Sequence, residues 1–474
     1  MVALGGRRHL KRSLVHVTTE YLGLQKRGGL ADYMEGITQE LAPYFNQTVV
    51  FPILGNTKIP TDRLVTKEKL KVLYLGIYFE FTLIKFSSQD NSIKFIIFSR
   101  EKGDVNLKNF FAYEMMDDFL YLVWCKAVSE WLKKEKAPDI ICTHDWQTAG
   151  IYLGTESSLG KAKKIHVIHN YSYPGLISRH LKMDSADLSW ENPNALKSMH
   201  SIALRGADRI LTVSKTYLEE LLDEESSLNF TFWLKPYQHK LFAITNGISL
   251  TSWSPQNSPY LPHKYGLESI EKRKKYRQYL VTQFDLVESH LIVLFQSRPT
   301  SEKGLGNILN EIDQLLQLPI TIVFHAEMGP LSCEYFFNLK TLHDQFPKRI
   351  ILFDRYREST GHILFSACDI LLMPSVHEPC GQLQLYAMQF GLLPVVHKTG
   401  GLKETVRDAD SSNPTGWHFL IDTPNPIRSI LQKVLKTFQD APATWEQMQR
   451  EGMSEDRSWG QRLNAYLDLF NFSK

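Results

Sequence analysis

A short segment in the second half of the sequence sets a carboxylate among turn-forming residues. Residues 374–381 read Pro-Ser-Val-His-Glu-Pro-Cys-Gly, and residues 399–402 read Thr-Gly-Gly-Leu. The carboxylate of Glu378, placed between a predicted strand and a predicted helix, can accept hydrogen bonds from sugar hydroxyls. The N-terminus of the helix that follows is partly positive and suits a phosphate. The segment therefore indicates a site for a phosphorylated sugar.

Cationic residues follow predicted strands at two other places. Arg298 and Lys303 lie five residues apart after an apolar run, and such a pair can hold one diphosphate. Lys26 precedes the adjacent Gly28 and Gly29, which let backbone N–H groups approach a phosphate at the start of a helix. An ordinary solvated loop and a plain strand-to-helix turn also explain these two segments when each is taken alone.

A His-Asp-Trp sequence and a His-Asn pair each come at the end of a predicted strand. Asp145 belongs to the first, and His169 and Asn170 form the second. A His-Asp pair can bind a metal ion or move protons, although a single pair falls short of a metal site. The same residues also fit a helix N-cap beside a packed Trp and a histidine satisfied in the core.

Short apolar runs alternate with longer helical patterns, which is typical of parallel α/β architecture. The strands predicted in the first half are Ser13–Val17, Thr48–Leu54, Lys71–Tyr74, Lys94–Phe98, Asp139–Cys142, Ile165–His169 and Arg209–Val213. Those predicted in the second half are Leu291–Gln296, Ile320–His325, Arg349–Phe353, Ile370–Met373 and Leu393–His397. Ligands of open α/β sheets bind at the carboxyl ends of the strands, where the polar segments above are located.

A proline-rich segment separates the two halves of this pattern. Residues 254–262 contain three prolines, which exclude a helix or an interior strand and predict an interdomain linker. We therefore predict two doubly wound α/β domains, over 1–255 and 256–450, that face each other across a cleft. The chemistry is expected in that cleft.

The composition of the 474 residues excludes several classes of protein. A net charge of +3 does not indicate a nucleic-acid binder, and the longest apolar run, Phe119–Cys125, is too short for a membrane span. Five scattered cysteines without a CxxC pair predict free thiols in a reducing compartment, so we expect a cytoplasmic protein. The basic N-terminal residues lack the apolar core of a signal peptide. The sequence contains no GxGxxG motif, which disfavours a dinucleotide dehydrogenase.

Seven motifs resemble, in their order along the chain, those of bacterial glycogen synthases and plant starch synthases. They are Lys-x-Gly-Gly-Leu, His-Asp-Trp, His-Asn, Asn-Gly-Ile, Ser-Arg-x-x-x-x-Lys-Gly, Glu-Pro-Cys-Gly and Thr-Gly-Gly-Leu, and they extend from Lys26 to Leu402. The sequences His-Asp-Trp-Gln-Thr-Ala and Tyr-Gln-His-Lys, the latter at 237–240, are most similar to chlamydial-type glycogen synthases and one subgroup of plant starch synthases.

This resemblance implies a glycosyltransferase-B fold with two Rossmann-like domains, an acceptor domain followed by a nucleotide-sugar domain, and a C-terminal helix over 451–474 that crosses back to the first. It implies transfer of glucose from ADP-glucose to the non-reducing end of an α-1,4-glucan, with retention and without a metal or cofactor. The residues implied at the diphosphate are Lys26, Gly29, Arg298 and Lys303. Those implied around the transferred glucose are Asp32, Asp145, His169, Asn170 and Glu378, and Tyr356 is implied to stack near the adenine. Gly28, Cys380, Gly381 and Leu383 complete the implied donor site, and catalysis is assigned to His169, Glu378, Arg298, Lys303 and Asp145.

Four positions or segments depart from the family pattern. Ser249 stands where Asp is usual after Asn-Gly-Ile, and Leu383 replaces a Thr whose hydroxyl is expected at the diphosphate. Residues 98–102 and 325–329 are degenerate copies of two further motifs. The main Arg, Lys, His and Glu positions are kept, so an active glucan synthase is the predicted function. A catalytically weak homologue that binds or primes a glucan is the alternative, and a transferase for UDP-glucose or another acceptor is a third hypothesis.

Overall fold

The computed structural model describes residues 11–53, 57–100, 118–153, 159–175, 198–225, 231–251, 253–328 and 333–471. They form two compact units. The first unit is drawn from 1–213, 218–245 and 462–474, and the second from 214–217 and 246–461. Among the described helices, none combines the length and the apolar character that a membrane span requires.

The first unit contains a nine-stranded sheet. Its strands are β1 (Arg12–Val17), β2 (Phe45–Pro52), β3 (Thr66–Tyr74), β4 (Ile77–Ser87), β5 (Ile93–Ser99), β6 (Ile140–His144), β7 (Lys163–Ile168), β8 (Arg209–Thr212) and β9 (Leu241–Ala243). Their order in the sheet is β3-β4-β5-β2-β1-β6-β7-β8-β9. The strands from β5 to β9 are parallel, and β1 lies between β2 and β6, so the strand order reverses at β1.

An antiparallel hairpin, which the sequence did not predict, forms one edge of this sheet. β3 pairs with β4 through the two-residue turn at Leu75 and Gly76, and β4 pairs with β5. Both turn residues have positive φ angles, 49° and 78°, as a tight hairpin turn of the right twist requires. The first turn residue is Leu, whereas Asn-Gly or Asp-Gly is the usual sequence of such a turn. The sequence therefore predicted only Lys71–Tyr74, the end of β3, as a strand and did not predict β4.

The helices that flank the first sheet are short apart from two. They are α1 (Gly29–Leu41), α2 (Asp118–Lys134), α3 (Met199–Gly206), α4 (Lys215–Leu222) and α5 (Thr231–Leu234). α1 connects β1 to β2 and buries Leu30, Met34, Ile37 and Leu41 on one face. This 3.6-residue periodicity buries one face of α1. The buried helix thereby anchors the loop that joins β1 to α1.

The second unit contains a six-stranded, wholly parallel sheet. Its strands are β10 (Leu291–Gln296), β11 (Ile320–His325), β12 (Ile350–Phe353), β13 (Ile370–Met373), β14 (Leu393–His397) and β15 (Trp417–Phe419). The order is β12-β11-β10-β13-β14-β15, which is the Rossmann order with its reversal at β10. The helices of this unit are α6 (Arg273–Gln283), α7 (Leu305–Asn310), α8 (Ile312–Leu315), α9 (Cys333–Gln345), α10 (Glu358–Ala367), α11 (Leu383–Gln389), α12 (Gly400–Thr405), α13 (Pro426–Asp440) and α14 (Pro442–Ser454).

The proline-rich segment 254–262 is packed into the second unit and is not a linker. Ser258 is completely buried, and its hydroxyl lies 2.9 Å from Nδ1 of His362 in α10. The ring of Trp253 packs on the same imidazole, with ring centroids 4.3 Å apart. The prolines do exclude helix and strand, but irregular backbone can be buried when its polar groups are paired. The second unit therefore begins before residue 255, at Asn246.

The segment 451–474 contains two helices where one was predicted. α14 ends at Ser454, and α15 (Leu463–Phe470) follows after a 3₁₀ turn. α15 packs within the first unit, where the hydroxyl of Tyr466 lies 2.9 Å from that of Tyr33 in α1. α15 therefore belongs to the same unit as the first strand.

Candidate active site

In each unit the strand order reverses beside the first strand, which opens a crevice at the carboxyl ends of the neighbouring strands. In the first unit the loops after β1, β6 and β7 reach this edge, and these loops together with the first turn of α1 contain all predicted site residues of the first half. In the second unit the loops after β10, β12 and β13 contain those of the second half. Each unit thus has its own cluster of candidate residues, and we call the cluster of the first unit the first half-site and that of the second unit the second half-site.

In the loop after β1, a buried carboxylate organises the glycine pair. Glu20 is 1% exposed, and its Oε2 accepts hydrogen bonds from the backbone N–H groups of Arg27 and Gly28, both at 2.7 Å. Sequence reasoning missed Glu20, although an acid at a strand end shortly before a Gly-Gly pair is a usable signal. The N–H of Gly28 was expected at a phosphate and is instead bound to this carboxylate, because a charged acceptor within the loop satisfies it.

Lys26 and Asp32, predicted at the donor, form an ion pair across the start of α1. The ammonium Nζ lies 2.8 Å from Oδ1 of Asp32, which is in the first turn of the helix. The lysine side chain is 35% exposed and the aspartate 11%. An ammonium has three donors, so Lys26 is oriented by Asp32 and keeps N–H groups for a second acceptor. The geometry is compatible with a diphosphate contact.

Asp145 has a backbone conformation that is almost restricted to glycine. Its φ is 58° and its ψ 175°. Its N–H donates to the carbonyl of Val167 at 2.8 Å, and its Oδ1 accepts from the N–H groups of His169 at 2.7 Å and Asn170 at 3.4 Å. Such strain costs about 1–3 kcal/mol and persists only where the surroundings hold it, which is commonest at functional sites. Three predicted residues are thereby joined at the ends of β6 and β7.

Burial keeps these groups close to neutrality. It raises the pKa of Asp145 to about 7, although the hydrogen bonds from the backbone N–H groups of His169 and Asn170 act to lower this pKa. It lowers the pKa of His169 to about 3. At neutral pH His169 is therefore uncharged, and Asp145 is divided between its two protonation states. The first half-site offers hydrogen-bonding groups with little fixed charge.

Two histidines behind His169 extend this network into the sheet. Nε2 of His169 lies 3.2 Å from Nδ1 of His144, and Nε2 of His144 lies 3.2 Å from Nδ1 of His16. Among the described residues, His16, Cys142 and His144 also have potential metal-ligating atoms within 4.8 Å of one another. Both nitrogens of His144 are already used, and burial raises the pKa of the Cys142 thiol, so we interpret the group as a hydrogen-bonded core.

The second half-site is built around an ion pair between the two predicted motifs. Nζ of Lys303 lies 2.8 Å from Oε1 and 2.7 Å from Oε2 of Glu378. The carboxylate side chain is 9% exposed and the lysine 21%. The loops that carry them touch at Gly304, whose φ is +73° and where a Cβ would lie 1.9 Å from the carbonyl oxygen of Pro374. Only glycine permits this approach, so the glycine brings the lysine to the glutamate.

The Thr-Gly-Gly-Leu motif has a structural role beside the same glutamate. The N–H of Gly401 donates to the carbonyl of Glu378 at 3.0 Å. A Cβ on Gly401 would lie 2.2 Å from the carbonyl oxygen of Cys380, and one on Gly400 would lie 2.1 Å from that of Glu378. The two glycines therefore fix the backbone of the Glu-Pro-Cys-Gly loop. This contact explains why the two motifs occur together.

Arg298 and Tyr356 lie on the surface of the second half-site. Arg298 is exposed, and its guanidinium makes no hydrogen bond or ion pair within the part of the chain that the structure describes. The ring of Tyr356 is 38% exposed and stacks on that of His325, with centroids 5.2 Å apart. Both side chains are accessible to a ligand, as their predicted roles at the diphosphate and the adenine require.

The remaining predicted donor residues lie at the start of α11. Cys380 is buried, and Gly381 has a φ of +69°. Leu383 is the first residue of the helix, is half-buried, and packs against the hydrophobic core of the second unit. A leucine side chain has no polar group to offer the diphosphate, and this packing holds it against apolar neighbours. Its predicted position at the donor stays a prediction.

Comparison with known proteins shows what the chain is similar to. A family model described as starch synthase catalytic domain matches residues 13–235, and one described as glycosyl transferases group 1 matches residues 281–451. The glycogen synthase of Protochlamydia amoebophila (strain UWE25) is 28% identical over 495 residues, covering 96% of this chain and 98% of that protein. That of Thermodesulfovibrio yellowstonii is 27% identical over 489 residues, covering 96% and 97%.

Solved structures give the same result for the fold. The catalytic domain of starch synthase IV from Arabidopsis thaliana, bound to ADP and acarbose, has a TM-score of 0.86 at 23% identity and covers 97% of this chain and 99% of its own. Sucrose-phosphate synthase from Thermosynechococcus elongatus has a TM-score of 0.62 at 15% identity, with 97% and 98% covered. The predicted glycosyltransferase-B fold is confirmed, and the protein is a glycosyltransferase. Over nearly its whole length the chain is similar to bacterial glycogen synthases, and residues 13–235 match the starch synthase model.

Proposed function

We propose that this protein transfers glucose from ADP-glucose to the 4-hydroxyl at the non-reducing end of an α-1,4-glucan, with retention of configuration. The observation that carries the proposal is the bidentate contact of Lys303 with Glu378, which brings two family motifs together at the ends of β10 and β13. A buried carboxylate and an oriented ammonium are the groups that a sugar hydroxyl and a phosphate need. The starch synthase of the same fold was solved with ADP and acarbose, a ligand pair in keeping with this donor and acceptor.

The diphosphate would be held by the two cations of the loop after β10 in the second half-site, and Lys26 of the first half-site is assigned to the same group. Arg298 offers a planar fork of donors with no competing partner among the described residues. Lys303 keeps N–H groups beyond those bound to Glu378. Tyr356 offers an exposed ring for the adenine. No metal or other cofactor is needed in this proposal, since these cations meet the negative charge of the leaving diphosphate.

In the proposed reaction the bond from glucose C1 to the diphosphate oxygen breaks, and the acceptor 4-oxygen bonds to C1 on the same face. The proton of that hydroxyl passes to the departing phosphate oxygen, so no separate strong base is required. Fixed positive charge at the leaving oxygen is then the main electrostatic contribution. Neutral His169 and the partly protonated Asp145 suit the glucosyl side, because an imidazolium there would oppose the positive charge that develops on the sugar.

Incubation of the purified protein with glycogen and labelled ADP-glucose, with labelled UDP-glucose in parallel, tests the proposal. We expect label in the polymer from ADP-glucose, released by enzymes that cleave α-1,4 linkages. Incorporation from UDP-glucose alone would contradict the donor, and label resistant to those enzymes would contradict the linkage or the retention. Binding of glycogen without any transfer would support the alternative, a glucan-binding or priming homologue, which the substitution at Leu383 favours.

We expect the protein to act in the cytoplasm. Cys125, Cys142, Cys368 and Cys380 are free thiols in the structure and all are buried. Unpaired buried cysteines are usual where the compartment is reducing. Rapid alkylation of intact cells would test this placement, because the fraction of these cysteines that becomes alkylated measures how much of each was a reduced thiol in the cell.

A further inference from the structure

A line of buried polar side chains leads from β2 to the first half-site. Gln47 of β2 is 2% exposed, and its Nε2 donates to the carbonyl oxygen of Thr38 in α1 at 2.7 Å. Beside it lies His16 of β1, which is followed by His144 at the end of β6 and then by His169. The three imidazoles are joined by two nitrogen–nitrogen contacts of 3.2 Å. We call these four residues the histidine line.

Each imidazole of the histidine line is uncharged at neutral pH. Burial lowers the pKa of His16 to about 4 and that of His169 to about 3, and it lowers the pKa of His144 well below its ordinary value. A neutral imidazole has one N–H donor and one acceptor nitrogen. In a row of such rings, a ring that donates to the neighbour on one side must accept from the neighbour on the other side. The direction at one end therefore sets the tautomer of every ring.

The amide of Gln47 sets that direction. Because the Thr38 carbonyl can only accept, the NH₂ group of Gln47 must face it, and Oε1 is left for another donor. Oε1 of Gln47 and Nε2 of His16 are both buried, and neither has a hydrogen-bond partner among the described residues. The two residues lie on adjacent strands, where Gln47 is in register with Leu14, and the interaction of their side chains raises the pKa of His16. Pairing these two unpartnered atoms requires the proton of His16 on Nε2, because an amide oxygen can only accept, and it leaves Nδ1 of His16 to accept from His144.

We propose that Gln47, His16 and His144 are positioning residues that fix the tautomer of the histidine at the end of the line. His144 then donates from Nε2 to His16 and accepts at Nδ1, so His169 carries its proton on Nε2. Nδ1 of His169 is left as a hydrogen-bond acceptor. Resting on the proposed function, we assign this acceptor to a hydroxyl of the transferred glucosyl group.

This arrangement would give the site an acceptor without a charge. The reverse tautomer would present an N–H to the sugar, and a hydroxyl would then have to bind through its oxygen. A protonated ring would place positive charge beside a sugar that itself becomes positive in the transition state. The remote glutamine excludes the first state, and burial excludes the second. Residues that do not touch the substrate thus determine what His169 offers to it.

A second buried pair of histidines in the same unit provides a matched control. Nδ1 of His166 lies 2.8 Å from the hydroxyl of Thr143, and its Nε2 lies 3.1 Å from Nδ1 of His200. The hydroxyl of Thr143 also lies 2.7 Å from that of Tyr152 and 3.4 Å from the carbonyl oxygen of Ile165, so this pair belongs to a hydrogen-bond network of its own. Among the described residues, no hydrogen bond connects the pair to His169. His200→Asn should therefore leave the tautomer of His169 unchanged.

Magic-angle-spinning ¹⁵N spectra of histidine-labelled protein read the tautomers directly, because protonated and unprotonated ring nitrogens have separate shifts. The signals of His169 are assigned from their loss in His169→Gln. In the wild-type protein we expect a protonated Nε2 and an unprotonated Nδ1 on His169. A protonated Nδ1 would overturn the proposal whether or not any variant folds.

Gln47→Leu removes the acceptor that orients the line. We expect His169 to become a mixture of tautomers and kcat for glucosyl transfer to fall several-fold, while the affinity for ADP is kept because the second half-site is unaltered. His200→Asn should show none of these changes. Wild-type tautomers of His169 in Gln47→Leu would contradict the role of the glutamine.

Adding ligand separates this inference from the proposed function. ADP-glucose should shift the Nδ1 signal of His169, and ADP alone should not. If the tautomer is as expected but ADP-glucose has no effect on Nδ1, the contact with the glucosyl group is wrong and the positioning role of Gln47 stands. If the protein transfers glucose but His169 is protonated on Nδ1, the proposed function stands and the tautomer is wrong.

Discussion

The first half-site is buried and close to neutral, whereas the second is built from paired and exposed charges. In the first, Asp145 has a pKa of about 7 and His169 one of about 3, so neither carries a full charge at neutral pH. In the second, Lys303 and Glu378 are held in a bidentate ion pair, and Arg298 is open to solvent. The same sheet architecture therefore presents two different chemical surfaces.

Under the proposed function, this difference would match the two ends of a nucleotide sugar. A diphosphate is a permanent anion and is best met by fixed cations, which need no rearrangement as negative charge increases on the leaving oxygen. A glucosyl group carries only hydroxyls and becomes positive in the transition state, so neutral donors and acceptors suit it better. Lys26 is the exception, since it places a cation in the first unit, and Asp32 already neutralises part of its charge.

The largest expected effect is loss of a cation from the second half-site. Arg298→Ala and Lys303→Ala should each lower kcat by about a hundredfold or more, since a contact that strengthens with the leaving charge contributes roughly 3 kcal/mol. Steady-state kinetics with ADP-glucose and glycogen, with folding checked by circular dichroism, measure this.

The controls differ for the two residues. Lys348→Ala is the control for Lys303→Ala. It removes the exposed ion pair of Lys348 with Asp285 in the same unit and should leave turnover unchanged. Lys303→Ala also leaves the buried Glu378 without its cation, so part of its effect can be a loss of stability. Arg298 has no such partner among the described residues, and near-normal turnover of Arg298→Ala would therefore exclude it from the diphosphate site.

A smaller effect is expected from the carboxylate of the first half-site. Asp145→Asn keeps an oxygen that can accept from the N–H of His169 and removes only the ionisable group. We expect kcat to fall about tenfold, equivalent to a loss of about 1.4 kcal/mol of transition-state stabilisation. Asp139→Asn is the matched control, since Asp139 caps the opposite end of β6 by accepting from Ser13. Equal losses in both variants would show a structural role for Asp145 and not a catalytic one.

The buried, uncharged histidines of the first unit predict that the stability of this unit decreases in acid. Burial lowers the pKa of five of its described histidines: His16, His144, His166, His169 and His200. Because these pKa values are lower in the folded than in the unfolded protein, their stabilisation is present above pH 6.5 and is lost as the pH falls toward 4. The raised pKa of Asp145 acts in the opposite direction, with stability lost as the pH rises toward 7.

Hydrogen exchange measured by mass spectrometry at pH 6.5, 5.5 and 4.5 compares the two units in one experiment. Three described histidines of the second unit have a lowered pKa, His290, His325 and His418. We expect β1, β6 and β7 to lose protection before β10, β11 and β13. Earlier loss in the second unit would show that the ion pairs, and not the buried histidines, limit stability in acid.

A smaller change is expected at Leu383. A Thr there would restore a hydroxyl at the start of α11, and one recovered hydrogen bond would tighten ADP binding by about 1 kcal/mol. The leucine packs against the core, so the change also removes apolar contacts and offsets part of the gain. Calorimetric titration of ADP into both proteins measures the balance. Unchanged or weaker binding in Leu383→Thr would show that this position does not face the diphosphate.

No effect is expected from chelation. The proposed donor site meets the diphosphate with Lys26, Arg298 and Lys303, so EDTA should leave glucosyl transfer unchanged. The assay compares dialysed enzyme with and without EDTA and then with added Mg²⁺ or Mn²⁺. Activity that is lost on chelation and restored by either ion would mean that these three cations do not supply enough positive charge for the diphosphate.

Much of the fold could be predicted because parallel strands buried on both faces are continuous apolar runs. The bounds of β10, β11, β13 and β14 agree with the prediction. β4 was missed because its turn contains Leu75 in place of Asn or Asp, and β9 and β15 have only three residues each. The buried segment 254–262 was misjudged, since prolines exclude regular structure and do not by themselves indicate exposure.

The candidate site was predicted as a set of residues and not as a set of contacts. Motif order identified Lys303 and Glu378, but 75 residues separate them, and only the close approach at Gly304 brings them together. His16 and His144 are 128 residues apart and belong to adjacent strands, so no local pattern links them. Glu20 satisfies backbone N–H groups that become visible only when the loop is folded.

Titration of ADP by calorimetry into the wild-type protein, Lys303→Ala and Asp145→Asn tests most directly the division of work between the half-sites. We predict that Lys303→Ala weakens ADP binding at least tenfold, because it removes a charge-assisted contact that contributes about 1.5–3 kcal/mol to the binding free energy. Asp145→Asn should bind ADP as the wild-type protein does and yet transfer glucose more slowly. Equal weakening of ADP binding in both variants, or none in Lys303→Ala, would contradict the account.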